Sequence, residues 1–152
     1  MEKQFAQAPP RTTAKALKER AYSLRRAGQW ASLSALLDGS SSSARALPPD
    51  LMLLRAEAAL RQAELHRAVE ITNAVLAEDG PVVAPALRAK ALLIRAAGSR
   101  MRGFVDKALR DASEAVAIAD AHILLVEERI EGHKQMGILL GIVGLVLLAH
   151  GV

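Results

Sequence analysis

Apolar residues recur at three- and four-residue spacing along most of the chain, which is the periodicity of an amphipathic α-helix. The first stripe lies in a helix that begins near Thr12 and consists of Ala14, Leu17, Ala21 and Leu24. Gly28 breaks this helix, and a second, shorter helix follows from Trp30. The pattern therefore predicts helices in place of strands, separated by short breaks.

Polar segments that carry glycine and proline divide these helices into pairs. A connection over residues 38–50 follows the first pair, EDGP at 78–81 ends the second, and GSRMRG at 98–103 joins the helices of the third. The predicted organisation is a flexible lead at 1–11, a helical domain at 12–121, a connecting helix at 122–135 and an apolar C-terminal helix at 136–152.

Small residues occupy a common register within the pairs. Ala21, Ala56, Ala91 and Gly137 are separated by 35, 35 and 46 positions, and seven residues after them stand Gly28, Ala63, Gly98 and Gly144. Small side chains let antiparallel helices approach closely, and glycine permits the tight turn between them.

This register resembles the tetratricopeptide repeat family, whose 34-residue motif has a small residue, a glycine, an aromatic residue and an alanine at set positions. The matching residues are Ala21, Gly28, Trp30 and Leu33 in the first repeat; Ala56, Ala63, Leu65 and Ala68 in the second; and Ala91, Gly98 and, after an insertion, Ala108 in the third. The resemblance implies an all-α solenoid of about three antiparallel helix hairpins plus the C-terminal helix, with a concave groove that binds peptides or helices.

Basic residues are concentrated in the third pair, within a chain whose formal net charge is +4. Residues 88–110 contain seven Lys and Arg but a single acid, Asp106. Arg88, Lys90 and Arg95 lie on the first helix of the pair, where groove-facing side chains would contact an acidic partner. The alternative is that these charges only solvate a helix surface.

The last seventeen residues, from Met136, contain no formally charged side chain when His150 is neutral. As a helix they would reach about 25 Å, which is at the short end for a membrane span. Three alternatives stay open: a membrane anchor, a terminal helix covered by this chain or a partner, and an incomplete fourth repeat. The residues expected to meet lipid or a partner helix are Met136, Leu139, Leu140, Val143 and Leu147.

The sequence offers little support for catalysis or for a cofactor. It has no cysteine, and its four histidines lie far apart in the chain, so neither thiol chemistry nor a histidine-based metal site is expected. No phosphate-binding glycine motif occurs. Aromatic residues make up 3% of the chain, too few for a nucleic-acid stacking surface.

The sequence predicts a non-catalytic protein-interaction adaptor in the cytoplasm, binding an acidic peptide or helix in its groove and tethered by its C-terminal helix to a membrane or another subunit. Two alternatives are a structural subunit of a larger complex and a soluble regulatory repeat segment of a longer protein. A homo-oligomer is compatible with Gly137 and Gly141, whose spacing lets two helices pack closely.

Overall fold

The computed structural model describes the backbone of residues 12–41, 46–122 and 126–149, and every regular element in these ranges is an α-helix. Side chains are described for residues 14–40, 46–122 and 130–141. The predicted lead at 1–11 lies outside the described residues. The all-α prediction is confirmed for the described ranges, in which the helices are α1 (Thr12–Arg26), α2 (Trp30–Ser41), α3 (Pro49–Arg61), α4 (Leu65–Leu76), α5 (Pro85–Met101), α6 (Val105–Ala121) and α7 (Val126–Ala149).

One type of turn closes three successive helix pairs. The residue in the left-handed region is Gly28 (φ 69°) after α1, Ala63 (φ 62°) after α3 and Gly103 (φ 86°) after α5. In each turn the next backbone N–H reaches back five residues to a helical carbonyl: Gln29 to Leu24 at 3.0 Å, Glu64 to Ala59 at 2.9 Å and Phe104 to Ser99 at 2.8 Å. This is the Schellman arrangement, and it starts the second helix of each pair at the same offset from the turn.

The connection predicted over 98–103 is too long, because α5 continues to Met101 and the chain turns at Gly103. Gly98 lies inside α5 and faces α4, where a Cβ atom on it would come within 3.0 Å of Val69 Cγ2. The small residue at this position therefore serves close helix packing. The longer α5 accounts for the insertion that the repeat register predicts between Gly98 and Ala108.

Two other boundaries differ from the sequence prediction. The connection expected at 38–50 is shorter, because α2 extends to Ser41 and α3 begins at Pro49, a residue suited to the first turn of a helix. Residues 126–149, which take in most of the expected connecting helix and of the apolar run after it, form one continuous helix, α7. This helix passes through Gly144, where an incomplete fourth repeat would have turned.

The helices pack in an order that separates the odd-numbered from the even-numbered ones. Each helix contacts the next, and α1, α3, α5 and α7 also contact one another in succession. The backbones of α2 and α4, and those of α4 and α6, do not come close to each other within the described residues. The close packing of the odd-numbered helices involves fully buried alanines, since Ala56 of α3 and Ala91 of α5 share one core cluster. The odd-numbered helices therefore form a layer of their own.

Replacing Ala63 by glycine should stabilise the protein. A non-glycine residue in the left-handed region costs about 1–2 kcal/mol, and the extra freedom of glycine in the unfolded chain offsets part of the gain. We expect Ala63→Gly to raise the free energy of unfolding by about 0.5–1 kcal/mol in urea denaturation. Gly103→Ala should lower it by about 1 kcal/mol.

The matched control is Gly39→Ala, which places the same methyl group inside α2, where a Cβ atom would meet nothing within 4 Å. This variant should gain about 0.5–1 kcal/mol, as glycine-to-alanine changes in helix interiors do. Equal gains for Gly39→Ala and Gly103→Ala would contradict the assignment of the turn to Gly103.

Candidate functional site

A groove with a volume of about 680 Å³ crosses the layer of odd-numbered helices. All the residues that line it come from α1, α3, α5 and α7, and no even-numbered helix contributes. They are Arg25, Glu57, Leu60, Arg61, Lys90, Leu93, Ile94, Ala97, Arg100, Met101, Glu131, Lys134, Gln135 and Ile138. We call this feature the odd-helix groove.

The floor of the odd-helix groove is apolar. Leu93, Ile94 and Ala97 of α5 are buried there, while Met101 and Ile138 expose 53% and 39% of their surface. These residues follow the three- and four-residue spacing that places side chains on one face of a helix. A partner that covers Met101 and Ile138 would remove apolar surface from water, which is favourable for association.

Basic side chains outnumber acidic ones by five to two in the odd-helix groove. One of the acids, Glu57, is buried and bound by two cations from neighbouring helices. Arg25 donates from Nε to Oε2 at 2.9 Å and from Nη2 to Oε1 at 3.3 Å, and Lys90 Nζ lies 3.9 Å from Oε2. This cluster joins α1, α3 and α5 and neutralises Glu57.

The other charged side chains of the groove are more exposed. Arg61 lies over the ring of Trp30, with its guanidinium carbon 5.3 Å from the ring centre. Lys134 Nζ is 3.8 Å from Glu131 Oε2 on the same face of α7, and both side chains are largely open to solvent. Exposed pairs of this kind are weak. The groove therefore keeps a positive surface.

Two buried polar atoms of the groove have no hydrogen-bond partner among the described residues: Arg100 Nε and Gln135 Oε1. Gln135 is 6% exposed, and its Nε2 donates to the backbone carbonyl of Leu93 at 3.2 Å. Turning the amide over would bring its oxygen against that carbonyl, so the hydrogen bond fixes Oε1 as the unpaired atom. Such buried groups are rare in folded proteins and are themselves informative.

Of the three residues predicted to bind a partner, Lys90 lies in the odd-helix groove, and Arg88 and Arg95 face α6. Arg88 Nη2 lies 3.0 Å from Glu114 Oε1. Arg95 binds both oxygens of Asp111, at 2.7 and 2.8 Å, and this hydrogen bonding raises the pKa of the Arg95 guanidinium. Partner binding by these three residues stays a prediction, and only Lys90 is placed where the groove could use it.

The residues expected to meet lipid or a partner helix take different positions on α7. Leu139 is buried against Ala108 and Ala112 of α6, and Met136 packs beside it, while Leu140 is 57% exposed. The side chains of Val143 and Leu147 are outside the described set. In the part of the chain that the structure describes, no helix combines the length and the apolar character needed to cross a membrane.

A second charged cluster, on the other side of α3, connects α2, α3 and α4. Asp38 accepts hydrogen bonds from Arg55 Nε at 2.7 Å and from Arg67 Nη2. Burial by itself raises the pKa of Asp38, but the hydrogen bonds from Arg67 and Arg55 outweigh it and hold the pKa below its ordinary value. The cluster ties α2 to α4, whose backbones do not meet.

Within the described ranges, no group of three or more histidine and acidic side chains could hold a metal ion. Comparison with known proteins finds no matching protein-family model, no matching curated protein and no matching solved structure.

Glu57→Gln should lower the free energy of unfolding by about 1–2 kcal/mol, because hydrogen bonds to a charged group contribute about that much. The value is kept at the low end because Arg25 is partly exposed and solvent weakens its interaction with Glu57. Urea denaturation at neutral pH would measure it. The control is Glu114→Gln, which removes the half-exposed pair with Arg88 and should cost less than about 0.5 kcal/mol. Equal losses would show that the Glu57 cluster does not join the helices.

Asp38 should make stability depend on pH in the acid range. Its pKa is lowered in the folded protein, so its contribution is complete above the unfolded value of about 3.9 and is lost as the pH falls through the folded value. We expect the difference in unfolding free energy between the wild type and Asp38→Asn to be constant near neutral pH and to shrink below about pH 4. A difference that grows on acidification would contradict this.

Proposed function

We propose that this protein is a non-catalytic interaction scaffold that binds a segment of a protein partner in the odd-helix groove. The observation that carries the proposal is the groove itself, a single surface that crosses four helices with an apolar floor and an excess of basic side chains. Burial of the floor would supply affinity, and the basic residues would favour acidic partners and speed their association.

We further propose that the helix pairs form a solenoid of tetratricopeptide type. Three turns with the same hydrogen bond support this assignment, as do the small or apolar residues that occupy equal positions around them. Seven residues before each turn stand Ala21, Ala56 and Ala96, and five residues after it stand Leu33, Ala68 and Ala108, all of them 0% exposed. In such solenoids the stacked repeats create a groove that a single hairpin cannot offer.

A second role, attachment to another subunit through α7, is favoured by the outer surface of this helix. Ile130 and Leu140 are 64% and 57% exposed, and a Cβ atom on Gly137 or Gly141 would meet nothing within 4 Å. Exposed apolar and small residues on one helix allow close contact with a further helix. Attachment to a membrane stays a prediction from the sequence.

Groove binding can be tested with an unbiased peptide display library selected on the whole protein. We expect the enriched peptides to lose at least about tenfold in affinity for a double variant, Arg61→Glu with Lys134→Glu, because charge reversal in a binding surface costs on the order of 1.4 kcal/mol or more. Fluorescence polarisation of labelled peptides would measure the affinities.

The matched control reverses two exposed arginines outside the groove, Arg20→Glu on α1 with Arg110→Glu on α6, and so has the same net charge as the test variant. It should keep the affinity for the enriched peptides within about twofold. Equal losses in both double variants, or a library without enrichment, would overturn groove binding.

A further inference from the structure

The two unpaired atoms of the odd-helix groove differ in kind. Arg100 Nε is a charged donor on α5, and Gln135 Oε1 is a neutral acceptor on α7. Both side chains line the same groove, and the unpaired atoms are buried. A ligand that satisfies both atoms must therefore carry an acceptor and a donor.

We propose that the odd-helix groove binds an extended, acidic peptide segment, with a carboxylate on the Arg100 guanidinium and a main-chain N–H donating to Gln135 Oε1. This inference rests on the proposed function and names the class of partner. An aspartate or glutamate residue provides both groups at once, a carboxylate acceptor on its side chain and an amide donor on its backbone. The side chains of Arg100 and Gln135 must turn slightly to meet it, since both atoms are covered in the free protein.

The acceptor on Gln135 distinguishes an extended segment from a helix. In an α-helix the main-chain N–H groups beyond the first turn are used within the helix, so a partner helix lying along the groove has no main-chain N–H to offer. An extended chain keeps its N–H groups available for its receptor. The unpaired amide oxygen therefore favours an extended partner.

Charge complementarity selects an acidic segment. The acids of the groove are already matched, Glu57 by Arg25 and Lys90, and Glu131 by Lys134. Arg100 Nε is then a cationic donor without an acceptor, and an anion could supply that acceptor. A carboxylate can meet a guanidinium with two parallel hydrogen bonds, and such pairs are among the stronger ones in proteins.

Successive side chains of an extended segment point to opposite faces, and the groove is lined by both apolar and basic side chains. One face of the segment would cover the apolar floor at Leu93, Ile94 and Ala97. The other would carry the acids towards the basic side chains. We therefore expect the partner to alternate apolar and acidic residues.

The probe is a short fluorescein-labelled peptide of alternating glutamate and valine, measured by fluorescence polarisation on the whole protein. We expect it to bind at least about tenfold more tightly than its glutamine–valine counterpart. It should also bind more tightly than an acidic peptide of equal charge that is locked as a helix. A helical peptide that binds as well as the extended one would overturn the proposal.

Variants then locate the contacts. Arg100→Gln should weaken binding of the probe by about tenfold, while Arg110→Gln, the same change at an exposed position on α6, should leave it within about twofold. If both variants weakened binding equally, the affinity of the probe would depend only on the overall positive charge of the protein, and the assignment to Arg100 would be wrong.

The contact with Gln135 is tested by a second peptide that is methylated at its main-chain nitrogens. This peptide should bind the wild type more weakly than the probe but should bind Gln135→Leu as well as the probe does, since the acceptor is then gone. The two peptides are first compared on the wild-type protein, so this part of the test does not depend on whether a variant folds. Weakening of the same size in both proteins would rule out the hydrogen bond to Gln135.

The experiments distinguish an error in the type of partner from an error in the location of the binding site. If the display library yields peptides that depend on Arg61 and Lys134 but are neutral or helical, groove binding holds and the extended acidic partner is wrong. If no peptide depends on Arg61 and Lys134, the groove itself is not the binding site.

Discussion

Close packing of the odd-numbered helices through alanine is the constraint on which the rest of the structure depends. Ala56 of α3 and Ala91 of α5 are fully buried in one core cluster, where a larger side chain would hold the two helices apart. Alanine loses no side-chain entropy on burial, so this packing costs little in conformational freedom. The odd-numbered helices can therefore lie side by side as a layer, with the even-numbered helices covering one side of it. The groove is the other side of that layer.

Ion pairs divide the positive charge of the chain into two parts with different roles. Arg95 and Arg88 are bound to acids of α6, and Arg67 and Arg55 are bound to Asp38, so these cations hold neighbouring helices together. The excess of positive charge in the groove is carried by other residues. The basic residues of α5 therefore divide into two sets. Arg88 and Arg95 bind acids of α6, whereas Lys90 and Arg100 lie in the groove, which a partner could reach.

The sequence predicts the helices well but brings only one of its three candidate binding residues, Lys90, into the groove, and helix geometry explains both results. Periodic apolar residues and the turns at Gly28 and Ala63 follow from local spacing. The connection in the third pair, predicted over 98–103, starts too early because Gly98 also fits the repeat register, and only the close approach of α4 explains the small residue there. The predicted partner-binding residues Arg88 and Lys90 are two positions apart, which is about 200° around a helix, so they do not share one face. A stripe on α5 with the correct spacing, Lys90, Leu93, Ile94, Ala97 and Met101, was visible in the sequence.

The unpaired atoms of the groove could not be predicted from the sequence, because they arise only where α7 packs on α5. Gln135 stands next to a long apolar run, where a polar residue is unexpected, and this was the one local signal. Its amide becomes half satisfied when it reaches the Leu93 carbonyl, a contact 42 positions away along the chain. A buried amide in an apolar setting is costly unless both of its ends are paired. The groove thus has both an unpaired acceptor and an unpaired charged donor, and two such atoms restrict the choice of partner more strongly than an apolar floor can.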